Sequence, residues 1–134
     1  MRTSMRHEII VDVGLISWFR KRLKGLHPEQ LWTVVADGEG IRATDQTGAT
    51  MSVSDAELSS VVIETNDSGP WGADVWWFLF GPDGKLACAF PQGASGEKEA
   101  IDRLIALPGF DHEELIRAMG STDNAVFPVW KRGH

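Results

Sequence analysis

The sequence predicts an α+β fold in which an antiparallel meander sheet of about five to six strands carries an N-terminal helix and two C-terminal helices packed on it. Three observations predict this class. Short β-type runs separated by turn residues fill the middle of the 134-residue chain. A helical period of apolar residues precedes them, and two more helical segments follow. Residues 1–28 therefore form a basic amphipathic N-terminal segment, and residues 29–134 a single α+β domain.

The N-terminal segment has apolar side chains at helical spacing from about Asp12 onward. One face of this period carries Leu15, Trp18, Phe19, Arg22 and Leu26. The opposite face carries Arg20, Lys21 and Lys24. Such a helix either packs on the domain or contacts a membrane surface, with Trp18, Phe19, Arg20, Lys21 and Lys24 as the contact residues. Packing is favoured, because a helix of fewer than about four turns with one basic cluster binds a membrane weakly.

Six short runs are predicted to be strands, because each is rich in β-branched or aromatic residues and bounded by turn formers. They cover residues 31–36, 39–44, 49–53, 59–65, 75–80 and 85–90. The run 75–80 is apolar at every position, which indicates a central strand covered on both faces, with helices expected over the second face. Residues 125–130 form a last strand or an extended tail, and Pro128 restricts them to a sheet edge.

Two helices are predicted after these strands. The first spans about residues 97–107 and is stopped by Pro108-Gly109. The second begins at Asp111, which with Glu114 forms a capping box, while Phe110 and Leu115 form a hydrophobic staple. Gly120 ends it.

The charge is divided unevenly along the chain. Residues 1–28 contain six Lys/Arg against two Asp/Glu, which gives +4, and residues 29–134 contain seven against seventeen, which gives −10. An acidic body repels phosphate backbones and attracts basic proteins. We therefore expect a basic protein partner and no nucleic acid, and the oligomeric state is left open.

No motif for catalysis or for cofactor binding is present in the sequence. The four histidines lack metal-ligand spacing, and neither a Gly-x-Ser-x-Gly elbow nor a phosphate-binding glycine loop occurs. We expect no enzyme activity, no cofactor and no metal. The single cysteine, Cys88, lies in an apolar strand and favours a reducing, cytoplasmic setting. No apolar run approaches the ~18 residues needed to span a bilayer.

One tryptophan stands among turn formers and acids. Trp71 falls in the expected loop of residues 66–73, with Asp67 within it and Asp74 next to it. Tryptophan is enriched at interface hot spots, and flanking carboxylates steer basic partners. Trp71, Asp67 and Asp74 are therefore the candidate binding residues, with a lid of Trp71 over the sheet as the alternative.

The layout of the chain resembles two kinds of bacterial protein. Trp32-Thr33-Val34-Val35 through Ile63-Glu64-Thr65, followed by a hairpin and a helix, resembles small pleckstrin-homology-like (GRAM-like) domains. The tail from Leu107-Pro108-Gly109-Phe110-Asp111 to residues 120–124 resembles that of small proteins that include immunity proteins of toxin systems. This resemblance implies a non-enzymatic protein-binding domain that neutralises a basic partner. The alternatives are a peripheral membrane or lipid-associated module and a small enzyme of unknown type.

Overall fold

The computed structural model describes residues 32–69 and 72–133, and for residues 67–69 and 72–74 it describes the backbone only. A 3-10 turn, Pro82–Gly84, joins the fifth and sixth strands. The elements in chain order are β1 (Thr33–Ala36), β2 (Gly40–Thr44), β3 (Thr50–Ser54), β4 (Ser60–Gly69), β5 (Gly72–Phe80), β6 (Leu86–Pro91), α1 (Glu97–Ile105), α2 (His112–Met119) and β7 (Ala125–Lys131). The expected N-terminal helix lies outside the described residues.

The described strands form two antiparallel sheets, so the prediction of one meander sheet of five to six strands is wrong. The first sheet has the order β1-β2-β3, and the second has the order β6-β5-β4-β7. In a meander β3 would pair with β4, but β7 returns to occupy that side of β4. The chain changes sheets at the corner after β3, where Leu58 is buried and Ser59 Oγ donates to the Gly81 carbonyl over 2.7 Å.

The main core lies between the two sheets. We call the face of the second sheet that contributes to this core the inner face. That face carries Val61, Ile63, Trp77, Leu79, Cys88, Phe90 and Val129. The first sheet contributes Val34, Ile41, Ala43 and Val53 to the same cluster. The two described helices contribute three buried residues to this cluster, namely Ala100, Leu104 and Ala118. The two C-terminal helices therefore pack on the inner-face cluster. The second face of β5, which we expected to lie under helices, carries a separate apolar cluster.

The connection from β6 to α1 passes close to β1. Ser95 exchanges backbone hydrogen bonds with β1, because Val34 N donates to Ser95 O over 2.8 Å and Ser95 N donates to Trp32 O over 2.9 Å. Gly96 follows with φ +86°, and a Cβ at this position would overlap the Val34 carbonyl. Only glycine allows this approach, which brings α1 against the first sheet.

The start of α2 matches one half of the predicted capping box. Asp111 Oδ1 accepts a hydrogen bond from Glu114 N over 3.0 Å, as an N-cap residue should. In a full capping box the Glu114 side chain would accept a hydrogen bond from Asp111 N. Here Asp111 N donates instead to the Val129 carbonyl over 2.7 Å. The helix start is therefore tied to β7 by its backbone as well as capped by its side chain. Within the described residues, no helix is long and apolar enough to cross a membrane.

We expect Asp111→Ala to lower the free energy of unfolding by about 1 kcal/mol, because the N-cap acceptor for Glu114 N is lost. Asp111→Asn is the matched control, because an asparagine side chain also caps a helix. This variant should lower the free energy of unfolding by only a few tenths of the loss expected for Asp111→Ala. Urea unfolding followed by circular dichroism measures both. Equal losses in the two variants would show that the charge, and not the cap, provides the stability.

Candidate functional site

The β4–β5 hairpin extends beyond both strands that flank it. β7 pairs with β4 as far as Thr65, opposite Ala125, and β6 pairs with β5 as far as Trp76. β4 and β5 continue to pair with each other past these points, through Asn66 opposite Asp74 and then Gly69 opposite Gly72. The expected loop of residues 66–73 is therefore largely strand, with an irregularity in the pairing between Asn66 and Gly69. We call residues 66–74 the arm, and at about 3.4 Å per residue its strands reach about 10 Å past the sheet.

The arm contains all three candidate binding residues. Asp67 and Asp74 lie on its two opposing strands, and Asp74 is the register partner of Asn66, the residue before Asp67. The backbone thus brings the two acids to neighbouring positions across the hairpin. Trp71 belongs to the two-residue connection between Gly69 and Gly72 and lies outside the described residues.

The base of the arm is fixed by a buried hydroxyl. The Thr65 side chain is fully buried, and its Oγ1 donates to the Asp123 carbonyl over 2.8 Å. The same atom lies 3.2 Å from Ser121 Oγ. The neighbouring Asn66 is only 2% exposed. These contacts join the arm to the connection between α2 and β7, so the arm begins from an ordered polar base.

Two exposed apolar side chains lie on α2, close in sequence to this base. Ile116 is 70% exposed and Met119 is 43% exposed, and their spacing of three residues places them on one helix face. Met119 ends α2 two residues before Ser121, which contacts Thr65. Sequence reasoning missed this pair. The available signal was that α2 also turns Leu115 and Ala118 toward the core, which leaves two large apolar residues facing away.

Most basic side chains of the described domain are engaged by nearby acids or carbonyls. Arg132 donates to the carbonyls of Asp55 and Leu58 over 2.6 and 2.8 Å. The ion pairs are Arg42–Asp37 at 4.0 Å, Lys98–Asp102 at 2.8 Å, Arg103–Asp55 at 3.4 Å and Arg117–Glu114 at 3.7 Å. Backbone N–H groups of Glu39 and Gly40 lower the pKa of Asp37, which keeps this exposed acid charged. The acidic excess of the domain therefore remains as a net negative field.

Two groups that could do chemistry, Cys88 and His112, are described by the structure. Cys88 is fully buried, burial raises the pKa of its thiol to about 12, and its Sγ donates to the Met51 carbonyl over 3.6 Å. Its thiol is therefore protonated at neutral pH and poorly suited to act as a nucleophile. His112 packs near the Phe110 ring, with 5.0 Å between ring centroids. In residues 32–69 and 72–133, no three His, Cys, Asp or Glu side chains are grouped to hold a metal ion.

Comparisons with protein-family models, with curated proteins and with solved structures found no match to this chain.

The buried thiol makes stability depend on pH in the alkaline range. Above about pH 9 the unfolded cysteine ionises while the folded one stays protonated up to about pH 12, so unfolding becomes easier as pH rises. We expect the free energy of unfolding to fall by up to about 1.4 kcal/mol per pH unit in this window. Chemical unfolding of the wild type and of Cys88→Ala at increasing pH measures the difference. Parallel pH profiles for the two proteins would contradict a thiol held neutral by burial.

Proposed function

We propose that this chain is a non-enzymatic protein-binding domain which, like the immunity proteins it resembles, neutralises a basic protein partner. The observation that carries the proposal is the arm. Its strands continue past β7 and β6, its base is fixed at Thr65, and its backbone carries Asp67 and Asp74 on opposing strands. Trp71 falls between these strands in the sequence.

The charge of the domain supports the choice of a basic partner. Residues 29–134 contain more acids than bases, so the domain keeps a net negative field after its cations are paired. Such a field raises the association rate of a positively charged protein. Two carboxylates on the arm add a local attraction at the point of contact. A tryptophan between them would provide the apolar anchor, because tryptophan side chains contribute much of the binding energy at interfaces.

The exposed pair on α2 extends this surface. Ile116 and Met119 lie on the helix whose C-terminal connection packs on the base of the arm. An apolar patch beside charged residues is the composition of a protein interface with a hydrophobic centre and a polar rim. We place the interaction in the cytoplasm, where a single buried cysteine stays reduced.

The first test removes the arm's charges and its anchor in the full-length chain. We expect Asp67→Asn with Asp74→Asn and Trp71→Ala to reduce capture of a basic protein from the native host by at least about tenfold, because both steering and the apolar anchor are lost. Affinity capture followed by mass spectrometry identifies the partner, and titration with the purified partner measures the loss. Capture of the wild type should also weaken with added salt.

The matched control removes the same number of charges at positions outside the arm and outside α2. Asp83 is exposed in the turn after β5 and has φ 63°, a conformation that asparagine tolerates well. Asp83→Asn with Glu99→Gln should leave partner capture within about twofold of the wild type, because both exposed positions lie off the arm and off α2. An equal loss in the arm variant and in the control variant would mean that net charge acts alone, and undiminished capture by the arm variant would exclude the arm.

The second test concerns the exposed pair on α2. We expect Ile116→Ser with Met119→Ser to weaken partner binding by about fivefold or more while leaving the melting temperature unchanged or higher, since these side chains are largely exposed. Isothermal titration and thermal melting on the same samples measure both quantities. Unchanged affinity would remove α2 from the interface.

A further inference from the structure

Three backbone carbonyls between β3 and β4 accept hydrogen bonds from one arginine near the end of the chain. Residues 55–59, which we call the corner, lie where the chain crosses from the first sheet to the second. Arg132 Nη2 donates to the Asp55 carbonyl over 2.6 Å, and Arg132 Nε donates to the Leu58 carbonyl over 2.8 Å. The backbone N–H of Arg132 donates to the Ser59 carbonyl over 2.9 Å. The corner therefore directs several oxygens at a single cation.

We propose that the corner is a guanidinium-binding site, which the chain fills with its own Arg132 and which selects arginine over lysine. A guanidinium is a planar ion with N–H groups in a fixed fork, and Arg132 uses two different nitrogens to reach two carbonyls. An ammonium group is a compact point charge and lacks this fork. The inference does not depend on the proposed function, because it concerns the corner and not the arm.

The local backbone explains why these carbonyls are available. Leu58 N and Glu57 N both donate to the Ser54 carbonyl, over 3.0 and 3.1 Å, so residues 54–58 form one helical turn. The last carbonyls of a helical turn have no partner within it, and basic side chains commonly bind them. The Asp55 and Leu58 carbonyls are in this position, and Arg132 satisfies both.

Backbone hydrogen bonds hold the corner at both of its ends. Asp55 N donates to the carbonyl of Glu39, the residue before β2, over 2.8 Å. Ser59 N donates to the carbonyl of Phe80, the last residue of β5, over 2.8 Å. One end of the corner is thus tied to the first sheet and the other to the second. A ligand that meets groups already held in place loses little affinity to ordering them.

An aromatic ring forms one side of the site. The Arg132 Cζ atom lies 5.4 Å from the centroid of the Trp130 ring, within the about 6 Å at which a cation is attracted to a ring face. Trp130 is 8% exposed, and its Nε1 donates to the Pro108 carbonyl over 2.7 Å, which fixes the ring. A planar guanidinium can also stack on such a ring, which again favours arginine over lysine.

The charge of the domain favours a cation at the corner, and the site is open to solvent. Residues 29–134 carry −10, and a field of this sign raises the local concentration of cations. Arg132 is an exposed residue, so a guanidinium from solution can reach the site once the Arg132 side chain is removed.

The test removes the internal ligand and supplies it again from solution. We expect Arg132→Ala in the full-length chain to raise the unfolding constant by at least about fivefold, because two charge-assisted hydrogen bonds are lost. Methylguanidinium at about 20 mM should then lower the unfolding constant of this variant by about twofold or more, because it binds only the folded chain. At this concentration a guanidinium salt is only a weak denaturant. Chemical unfolding of each sample measures both effects.

The controls change the ligand and the position separately. Methylammonium at the same concentration and ionic strength has the same charge without the fork, and it should leave Arg132→Ala unchanged. Arg117→Ala removes an exposed arginine that pairs with Glu114 at 3.7 Å, and methylguanidinium should not stabilise this variant. Equal effects of the two cations on Arg132→Ala, equal rescue of Arg117→Ala, or no rescue at all would each overturn the proposal.

The preference for arginine has its own variant. Arg132→Lys keeps the charge and loses the fork, so its unfolding constant should lie closer to that of Arg132→Ala than to that of the wild type. Wild-type stability in Arg132→Lys would contradict a site that selects a guanidinium.

A measurement on the unmodified chain covers the case in which Arg132→Ala does not fold. The Nε–H proton of Arg132 should exchange with water at least about tenfold more slowly than that of Arg117, because only Arg132 Nε donates to a carbonyl at hydrogen-bond distance. Nuclear magnetic resonance of the arginine side chains measures both rates. Equal rates would overturn the proposal.

Discussion

The burial of β5 on both faces is the constraint on which this structure depends. Trp77 and Leu79 point into the inner cluster while Phe78 and Phe80 point into the cluster on the opposite face, and all four are at most 1% exposed. Burying such a side chain contributes about 1.5–3 kcal/mol before the opposing loss of conformational entropy, so these four side chains are a major source of burial free energy. A strand of this kind must lie inside its sheet, with β4 and β6 on its sides and a layer on each face.

The arm follows from the same strand. β5 and its partner β4 continue from the core into the arm, with one register irregularity between Asn66 and Gly69, so the position of the arm is set by the well-packed strands at its base. Thr65 marks the point where the flanking strand β7 stops and the hairpin continues alone within the described pairings. A binding element on a rigid base loses little conformational entropy when it meets a partner. The β4–β5 hairpin therefore contributes side chains to both core clusters and also carries the candidate interface.

Local signals in the sequence predicted most elements, and their failures have physical causes. Turn residues and alternation located the strands, and the N-cap at Asp111 located α2, because these are properties of a few adjacent residues. The division into two sheets was missed, since it depends on β7 pairing with β4 across more than fifty residues of chain. The arm was expected to be a loop because Asn66 to Pro70 are turn formers, but cross-strand pairing outweighed their weak β propensity. The exposure of Ile116 was missed because the sequence analysis did not ask which residues of α2 face away once Leu115 and Ala118 face the core.

Amide hydrogen exchange tests the central role of β5 most directly. If a strand buried on both faces holds the fold together, the amides of residues 76–79 should exchange only through global unfolding, with the same free energy that denaturant unfolding gives. The amides of α1 and of the first sheet should open at equal or lower free energies. Exchange of the β5 amides at a lower free energy than those of α1 would contradict this account.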